Sequence, residues 1–310
     1  IMIVASLGIL AGTTFSSGLM EVARKGIFNP QHFYLNEIMV IFLAVMITDV
    51  LLLDLYNTFA LPTSTTVSIV FELLGAAVAV SIIKIVSLDQ GMGELITYIN
   101  TSKAFAIISG ILLSVVIAFS VGALIQFFTR LVFTFDYQKR FKRYGAIWGG
   151  ISLTAITFFI LIKGAKGSSF LTSDAQEWIK INTDLIIIAS FFGWTIILQL
   201  LQWFTKINIL KPIVLVGTFA LALAFAANDL VNFIGVPLAG LSTYLIGSQS
   251  ANPSELLMVA LTKKVSTPTI LLLLAGIIMV ITLWVNKKAK SVTKTEVNLG
   301  RQSEGFERFE

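Results

Sequence analysis

Long apolar runs separated by short polar links constrain the fold of this chain more than any other feature. Eight runs approach or exceed the roughly 20 residues that a helix needs to cross a bilayer: residues 1–20, 37–58, 62–83, 104–132, 144–162, 184–204, 211–246 and 269–286. Only 13% of the 310 residues are charged, too few to cover a soluble domain of this length. The sequence therefore predicts an all-α, polytopic membrane protein.

One of these runs is too long for a single helix. At 1.5 Å per residue, a helix over 211–246 would exceed the thickness of the membrane, and Asn228-Asp229 and Pro237 interrupt it. We expect two helical pieces there, and a second interruption at Pro62. The prediction is a helical bundle of about eight to nine spans, with broken or re-entrant helices at Pro62 and Asn228.

The distribution of basic residues predicts the orientation of the helices. Residues 130–143 contain one acid, Asp136, and five basic residues: Arg130, Lys139, Arg140, Lys142 and Arg143. Such loops face the cytoplasm, and Lys206, Lys211 and the Lys287–Lys290 tail should lie on the same side. Basic cytoplasmic loops account for the net charge of +5, so no nucleic-acid partner is needed to explain it.

The rare residue types exclude several classes of site. The chain has no cysteine and one histidine, which rules out disulfides, thiolate metal sites and histidine clusters. His32 follows Asn29-Pro30 in a polar link and is expected to be a solvated loop residue. A membrane-embedded enzyme needs a nucleophile with a base or a metal cluster, so we do not expect an enzyme or a bound cofactor.

Four successive hydroxyl side chains follow a proline between two apolar runs. Proline is favoured at the first position of a helix, so Pro62 should start one, with the hydroxyls on its first turn: Thr63, Ser64, Thr65 and Thr66. The first turn leaves backbone N–H groups without helical partners and carries the positive end of the helix dipole. This segment therefore predicts an anion-binding site.

Three acids and no base lie between Ile38 and Ile83, namely Asp49, Asp54 and Glu72. Helical spacing groups polar side chains on one face of each helix: Asp54, Asn57 and Thr58 on the first, and Thr65, Ser68 and Glu72 on the second. If the two helices form a hairpin, these faces converge near Pro62 and could coordinate a cation or proton. Asp49 or Asp54 could instead be hydrated at the membrane interface.

A second polar group interrupts the run at 211–246. Asp229 is the only charge between Pro212 and Gly247, and Asn228 and Asn232 flank it within one helical turn. Carboxylate and amide oxygens at a broken helix suit a small cation such as Na⁺. A buried Asp–Asn network that only ties helices together is the alternative.

These two segments together resemble the hallmark motifs of the inorganic phosphate transporter (PiT) family. Residues 61–66 resemble its proline followed by Ser-Thr-Thr, and residues 227–232 resemble its Gly-Ala-Asn-Asp-Val-Ala-Asn segment. Residues 21–27 are similar to its Glu-x-x-Arg-x-Gly link. The likeness extends from Gly12 to about Leu245. Val67 stands where the family often has histidine, and Glu72 lies where it is commonly neutral.

The resemblance implies secondary transport of inorganic phosphate coupled to Na⁺ or H⁺, by alternating access through two inverted repeats in the cell membrane. Carried over by position, Ser64, Thr65 and Thr66, with Thr63 beside them, would bind phosphate. Asn228, Asp229 and Asn232 would line the coupling-ion site, with Na⁺ at Asp229 and with Glu72 and Asp54 as further candidates. Partners would be phosphate, the coupling ion and the lipid bilayer; homo-oligomerisation stays open.

The family carries each motif twice, and one copy of each occurs here. We therefore expect an internal fragment of a longer protein. Residues 1–100 would be the latter part of repeat one, 101–205 connecting helices, 206–286 the first part of repeat two, and 287–310 the start of a polar cytoplasmic loop. A sulfate or other oxyanion permease of the same fold, and a structural or channel subunit, are the alternative functions.

Overall fold

The computed structural model describes residues 1–15, 26–134, 137–165, 172–205, 208–227, 231–262 and 269–299, which form α-helices joined by short links. The helices are α1 (Met2–Phe15), α2 (Leu35–Thr58), α3 (Thr65–Ser87), α4 (Leu95–Tyr98), α5 (Thr101–Phe133), α6 (Tyr137–Ala165), α7 (Ser173–Ile181), α8 (Thr183–Phe204), α9 (Leu210–Phe225), α10 (Val231–Ser248), α11 (Thr269–Val285) and α12 (Lys287–Leu299). Short 3₁₀ helices cover Pro30–His32, Met92–Glu94, Pro253–Glu255 and Val259–Thr262. No β-strand occurs within these ranges, so the predicted all-α class is confirmed.

Five of the described helices are long and apolar enough to cross a membrane: α2, α3, α5, α6 between Lys139 and Leu161, and α8. A sixth candidate joins α11 to the start of α12 across a 77° bend, and α1, α9 and α10 are shorter apolar helices. The chain is therefore a polytopic membrane protein, with five to six candidate spans in its described part. The expected total of eight to nine spans and the inverted repeat stay predictions.

Helices α2 and α3 form a hairpin that holds the largest apolar core. Ile38, Ile41 and Phe42 of α2 are buried against Leu73 and Ala77 of α3. Helix α10 packs on both members of the hairpin and adds Val236 and Ala239 to the same core. The hairpin and α10 thus form one packed unit.

The end of α2 is closed by a left-handed residue. Ala60 has φ of 54°, and its N–H donates to the Asn57 carbonyl at 3.3 Å. The next N–H, of Leu61, reaches back to the Tyr56 carbonyl at 2.9 Å. This pair of hydrogen bonds is the Schellman arrangement that satisfies the last carbonyls of a helix. The chain therefore turns sharply before it reaches Pro62.

Helix α3 begins three residues after Pro62. Ser64 is its N-cap, with extended backbone (φ −96°, ψ 108°) and a side chain that accepts from the Val67 N–H at 3.4 Å. The expected helix start at Pro62 is wrong, because serine is among the preferred N-cap residues and sets the first helical residue at Thr65. Pro62 instead stiffens the link, which separates two long helices and does not break one.

The opposite end of the hairpin is tied by short backbone bridges and a partly buried ion pair. Phe28 pairs with Ile99, and Tyr34 pairs with Leu257. Lys84 Nζ donates to Glu37 Oε2 at 2.8 Å, with the two side chains 10% and 24% exposed. These contacts join three links to α2 and α3, so this end is fixed far from Pro62.

Helix α1 packs closely on α9 through glycines. A Cβ added at Gly8 would lie 2.8 Å from the Ala222 Cβ, and one at Gly12 would lie 2.8 Å from the Ala226 Cβ. Small residues four apart on both helices let the backbones approach, as in membrane helix pairs generally. Helix α6 packs in turn on α8 and α9 around Leu153.

Candidate functional site

An open cavity of about 590 Å³ lies beside the link at the Pro62 end of the hairpin. Helix α2 lines it with Thr48, Leu52 and Tyr56, one helical turn apart. The link and α3 line it with Pro62, Thr63, Ser64, Val67, Ser68, Phe71 and Glu72. The two helices thus enclose a cavity near Pro62, but the α2 face that lines it is not the expected one, because Asp54, Asn57 and Thr58 are not among the lining residues.

The cavity extends well into the hairpin. Helix α2 has 24 residues and is about 36 Å long. Thr48 lies ten residues before its end and Glu72 seven residues after the start of α3, so the walls reach about 10–15 Å inward from the link. Hydroxyl groups of Thr63 and Ser64 lie at the mouth, and the Glu72 carboxyl lies at depth.

The structure divides the four predicted hydroxyl residues into two pairs. Thr63 and Ser64 line the cavity, whereas Thr65 and Thr66 are not among its lining residues. The cause is the helix start at Thr65: each further residue turns about 100° around the axis, so the face that Ser64 begins continues to Val67 and Ser68. The Thr65 hydroxyl oxygen is buried outside the cavity.

Glu72 is held by its own helix. Ser68 Oγ donates to Glu72 Oε1 at 2.7 Å, which confirms that these two polar residues share a face. The second oxygen, Glu72 Oε2, is buried and has no hydrogen-bond partner among the described residues. One oxygen of this carboxylate therefore accepts a hydrogen bond from Ser68, and the other accepts none from the described residues.

Two further buried oxygens of the hairpin lack partners in the described part of the chain and do not line the cavity: Thr65 Oγ1 and Asp49 Oδ1. Asp49 is 4% exposed, and its carboxyl is within electrostatic range of Glu72. Buried carboxylate oxygens without partners are costly and rare, and at membrane depth they indicate function. Helical spacing in the sequence pointed to Asp54 as the site candidate on α2, and it did not single out Asp49.

Asp54 lies outside the cavity. Its side chain is 66% exposed and accepts from Lys288 Nζ of α12 at 2.6 Å, so the two residues form an exposed ion pair. Five residues separate Asp49 from Asp54, which places them on different faces of α2. The structure therefore does not bring Asp54 to the other candidate residues, and this matches the hydrated-interface alternative.

Part of the second motif lies outside the described residues. Asn228 and Asp229 fall in that category, as do Glu21 to Lys25 of the third motif. Asn232 belongs to α10, which begins at Val231, continues through Pro237 and packs on the hairpin. The motif therefore directly precedes a helix that contacts α2 and α3.

The local chemistry suits an anion at the mouth and a cation at depth. Hydroxyl groups and a helix start supply donors for oxyanions, while unpartnered carboxyl and hydroxyl oxygens are hard ligands for alkali cations. Within the described ranges no group of three or more His, Cys, Asp or Glu side chains forms a metal site.

Comparison with known proteins identifies the family and the fold. A model of the phosphate transporter family matches residues 1–295. A solved structure described as the sodium-dependent phosphate transporter has the same fold, with a TM-score of 0.61 and 20% identity over 95% of this chain and 67% of that one. A search of curated protein sequences finds no significant match. Since the family model covers nearly the whole chain, this multi-pass membrane protein belongs to the phosphate transporter family.

Proposed function

We propose that the protein is a Na⁺-coupled phosphate symporter whose hairpin cavity binds phosphate at its mouth and the cation at its base. The observation that carries this proposal is the order of polar groups along the depth of one cavity. Hydroxyls lie at the mouth, and the unpartnered Glu72 oxygen lies about 10–15 Å deeper. Family membership supports phosphate as the substrate, and the fold likeness to a sodium-dependent phosphate transporter supports Na⁺.

Phosphate would be held by Thr63 and Ser64 together with N–H groups of the first turn of α3. Hydroxyl donors can rotate toward an oxyanion, and the helix start adds a favourable partial charge. Each hydrogen bond to a charged ligand contributes about 1.5–3 kcal/mol. Thr65 and Thr66, which resemble the family motif, would act from the first turn if α2 and α3 shift during transport.

The cation would bind where Asp49 and Glu72 present oxygens that have no partner among the described residues. Asn228, Asp229 and Asn232 would complete the coordination, because α10 packs on the same hairpin. Six or so oxygen ligands, drawn from carboxylate, hydroxyl and amide groups, are suited to Na⁺, which requires no fixed geometry. The asparagines would supply neutral carbonyl oxygens, as broken helices do in other transporters.

This arrangement accounts for coupling. Two carboxylates below an anion repel it, each by about 1–2 kcal/mol for unit charges about 10–15 Å apart at an effective dielectric constant near 20. A bound cation neutralises one of the two charges and removes about half of that cost. Phosphate and Na⁺ should therefore bind cooperatively, and each should raise the affinity for the other by the same factor.

The same charges favour phosphate over sulfate. Near neutral pH a fraction of phosphate is the monoanion, whereas sulfate is always a dianion. A carboxylate on the cavity wall raises the free energy of a bound dianion more than that of a monoanion. A sulfate permease would be expected to avoid such an acid.

Equilibrium binding of radiolabelled phosphate with and without Na⁺ tests the proposal. We expect affinity to rise at least tenfold with Na⁺, and the rise to be lost in Glu72→Gln and in Asp49→Asn but kept in Asp54→Asn, the control acid on the other face. Equal Na⁺ dependence in all three variants would contradict the cation site. Unchanged transport in both Thr65→Ala and Asp229→Asn would favour a structural or channel subunit.

A further inference from the structure

A second cavity, of about 290 Å³, lies at the far end of α5. Its walls are formed by the last two turns of α5, the start of α6 and Leu210 of α9. It belongs to neither the hairpin nor the proposed transport route. It lies beside the basic segment of residues 130–143, which is expected on the cytoplasmic side.

The cavity has two chemically different walls. Gln126, Thr129 and Arg130 supply polar groups from α5, while Phe133, Phe141 and Trp148 supply an aromatic wall. The rings of the aromatic wall contact one another. The Phe133 ring packs edge-on against Trp148 and tilted against Phe141, with ring centroids 5.7 Å apart in both pairs. A tryptophan at this position is typical of the depth at which hydrocarbon meets headgroups.

One basic side chain, Arg130, lines the cavity, and the chain segment beside it is rich in basic residues. Five basic side chains in residues 130–143 are all exposed: Arg130, Lys139, Arg140, Lys142 and Arg143. Arg140 Nη1 donates to the Val132 carbonyl at 3.1 Å, which holds its guanidinium beside the end of α5. One acid, Asp136, occurs in the same stretch of sequence, so a net positive charge remains.

The outer surface of α5 leads into this cavity and is apolar. Ala104 and Phe133 are its buried residues, and the turn beside the cavity exposes Phe127, Phe128 and Leu131 by 61%, 54% and 63%. A 33-residue apolar helix with so few buried residues offers a long surface for acyl chains. An amphiphile lying along α5 would therefore place its polar end at Arg130 and Arg140.

We propose that this cavity binds the headgroup of an anionic phospholipid, with the phosphodiester beside Arg130 and the acyl chains along α5. Basic pockets between helices at the cytoplasmic surface recognise such lipids, and each nearby Lys or Arg raises the affinity about fivefold. Charge complementarity selects an anionic lipid over a zwitterionic one. The aromatic wall and the exposed helix select a lipid over free phosphate, which has no apolar part.

Native mass spectrometry of the intact protein in detergent with equimolar phosphatidylglycerol and phosphatidylcholine of identical chains tests this. We expect phosphatidylglycerol to be retained preferentially, and Arg130→Gln with Arg140→Gln to lower that preference about tenfold or more. The control Lys180→Gln, at an exposed position on α7, should keep it. No preference in the wild type, or an unchanged preference in the double variant, would overturn the proposal.

Two further arms separate the cavity from general surface charge and from free phosphate. Thr129→Trp fills the cavity and keeps every charge, so it should lower phosphatidylglycerol retention; full retention would show that the lipid does not enter. Excess inorganic phosphate should leave the bound lipid in place. Displacement by inorganic phosphate would identify a free-phosphate site and refute the lipid assignment.

Discussion

Replacement of Ser64 separates the two roles that the structure gives to its hydroxyl group. Ser64 caps α3 by accepting from the Val67 N–H, and it lines the mouth of the cavity. The capping distance of 3.4 Å is longer than the usual 2.9–3.0 Å or so. We therefore expect Ser64→Ala to destabilise the protein by only about 0.5 kcal/mol, the lower end for N-cap removal, and Ser64→Gly by a few tenths at most.

The effect on phosphate should be larger and should be the same in both variants. Loss of one hydroxyl donor to a charged ligand costs about 1.5–3 kcal/mol, or roughly a tenfold to hundredfold rise in Kd. Ser64→Thr keeps a hydroxyl and an acceptable cap, so it should retain most of the affinity. Ser114→Ala on the lipid-facing part of α5 is the control.

The assay is binding of radiolabelled phosphate at saturating Na⁺, with thermal unfolding measured on the same preparations. Wild-type affinity in both Ser64→Ala and Ser64→Gly would refute the assignment of Ser64 to the phosphate site. Loss of affinity in proportion to loss of stability would show that Ser64 acts only as a cap.

Three further predictions follow from contacts elsewhere in the fold. Ala60→Gly should raise the free energy of unfolding by about 1 kcal/mol, because glycine adopts the observed φ of 54° without the steric cost of a Cβ. Gly12→Ala should lower thermal stability and weaken α1–α9 packing, since the new Cβ would lie 2.8 Å from a neighbouring one, while Gly75→Ala, with nothing within 4 Å, should be neutral or stabilising. Lys84→Met should destabilise the protein by about 1–3 kcal/mol, because the partly buried Glu37 loses the cation that neutralises it. Lys288→Met at the exposed pair should cost less than about 1 kcal/mol, and equal effects in chemical or thermal unfolding would contradict this ranking.

The apolar runs predicted the helices well, but they could not orient them. In α2, Ile41 and Phe42 are buried while Val50 and Leu51 are 67% and 68% exposed. In a membrane the lipid-facing side is as apolar as the core, so no amphipathic period marks the inner face. This is why spacing alone selected Asp54, although Asp49 on another face is the buried acid.

Local chemistry around Pro62 decided the details that sequence reasoning missed. The motif placed hydroxyls correctly at a helix start, and the Ser68–Glu72 pair follows directly from helical spacing. The position of that start depended on two competing signals, proline at the first helical position and serine as N-cap. The left-handed Ala60, which sequence did not indicate, turned the chain early and left room for Ser64 to cap.

Uptake of radiolabelled phosphate into proteoliposomes under an inward Na⁺ gradient tests the central claim most directly. We expect phosphate to accumulate above its external concentration and to leak out when the Na⁺ gradient is dissipated. Accumulation should persist in a large excess of sulfate and should fall sharply in Ser64→Gly. Accumulation that ignores the Na⁺ gradient, that sulfate abolishes, or that Ser64→Gly leaves intact would contradict a Na⁺-coupled phosphate site in the α2–α3 cavity.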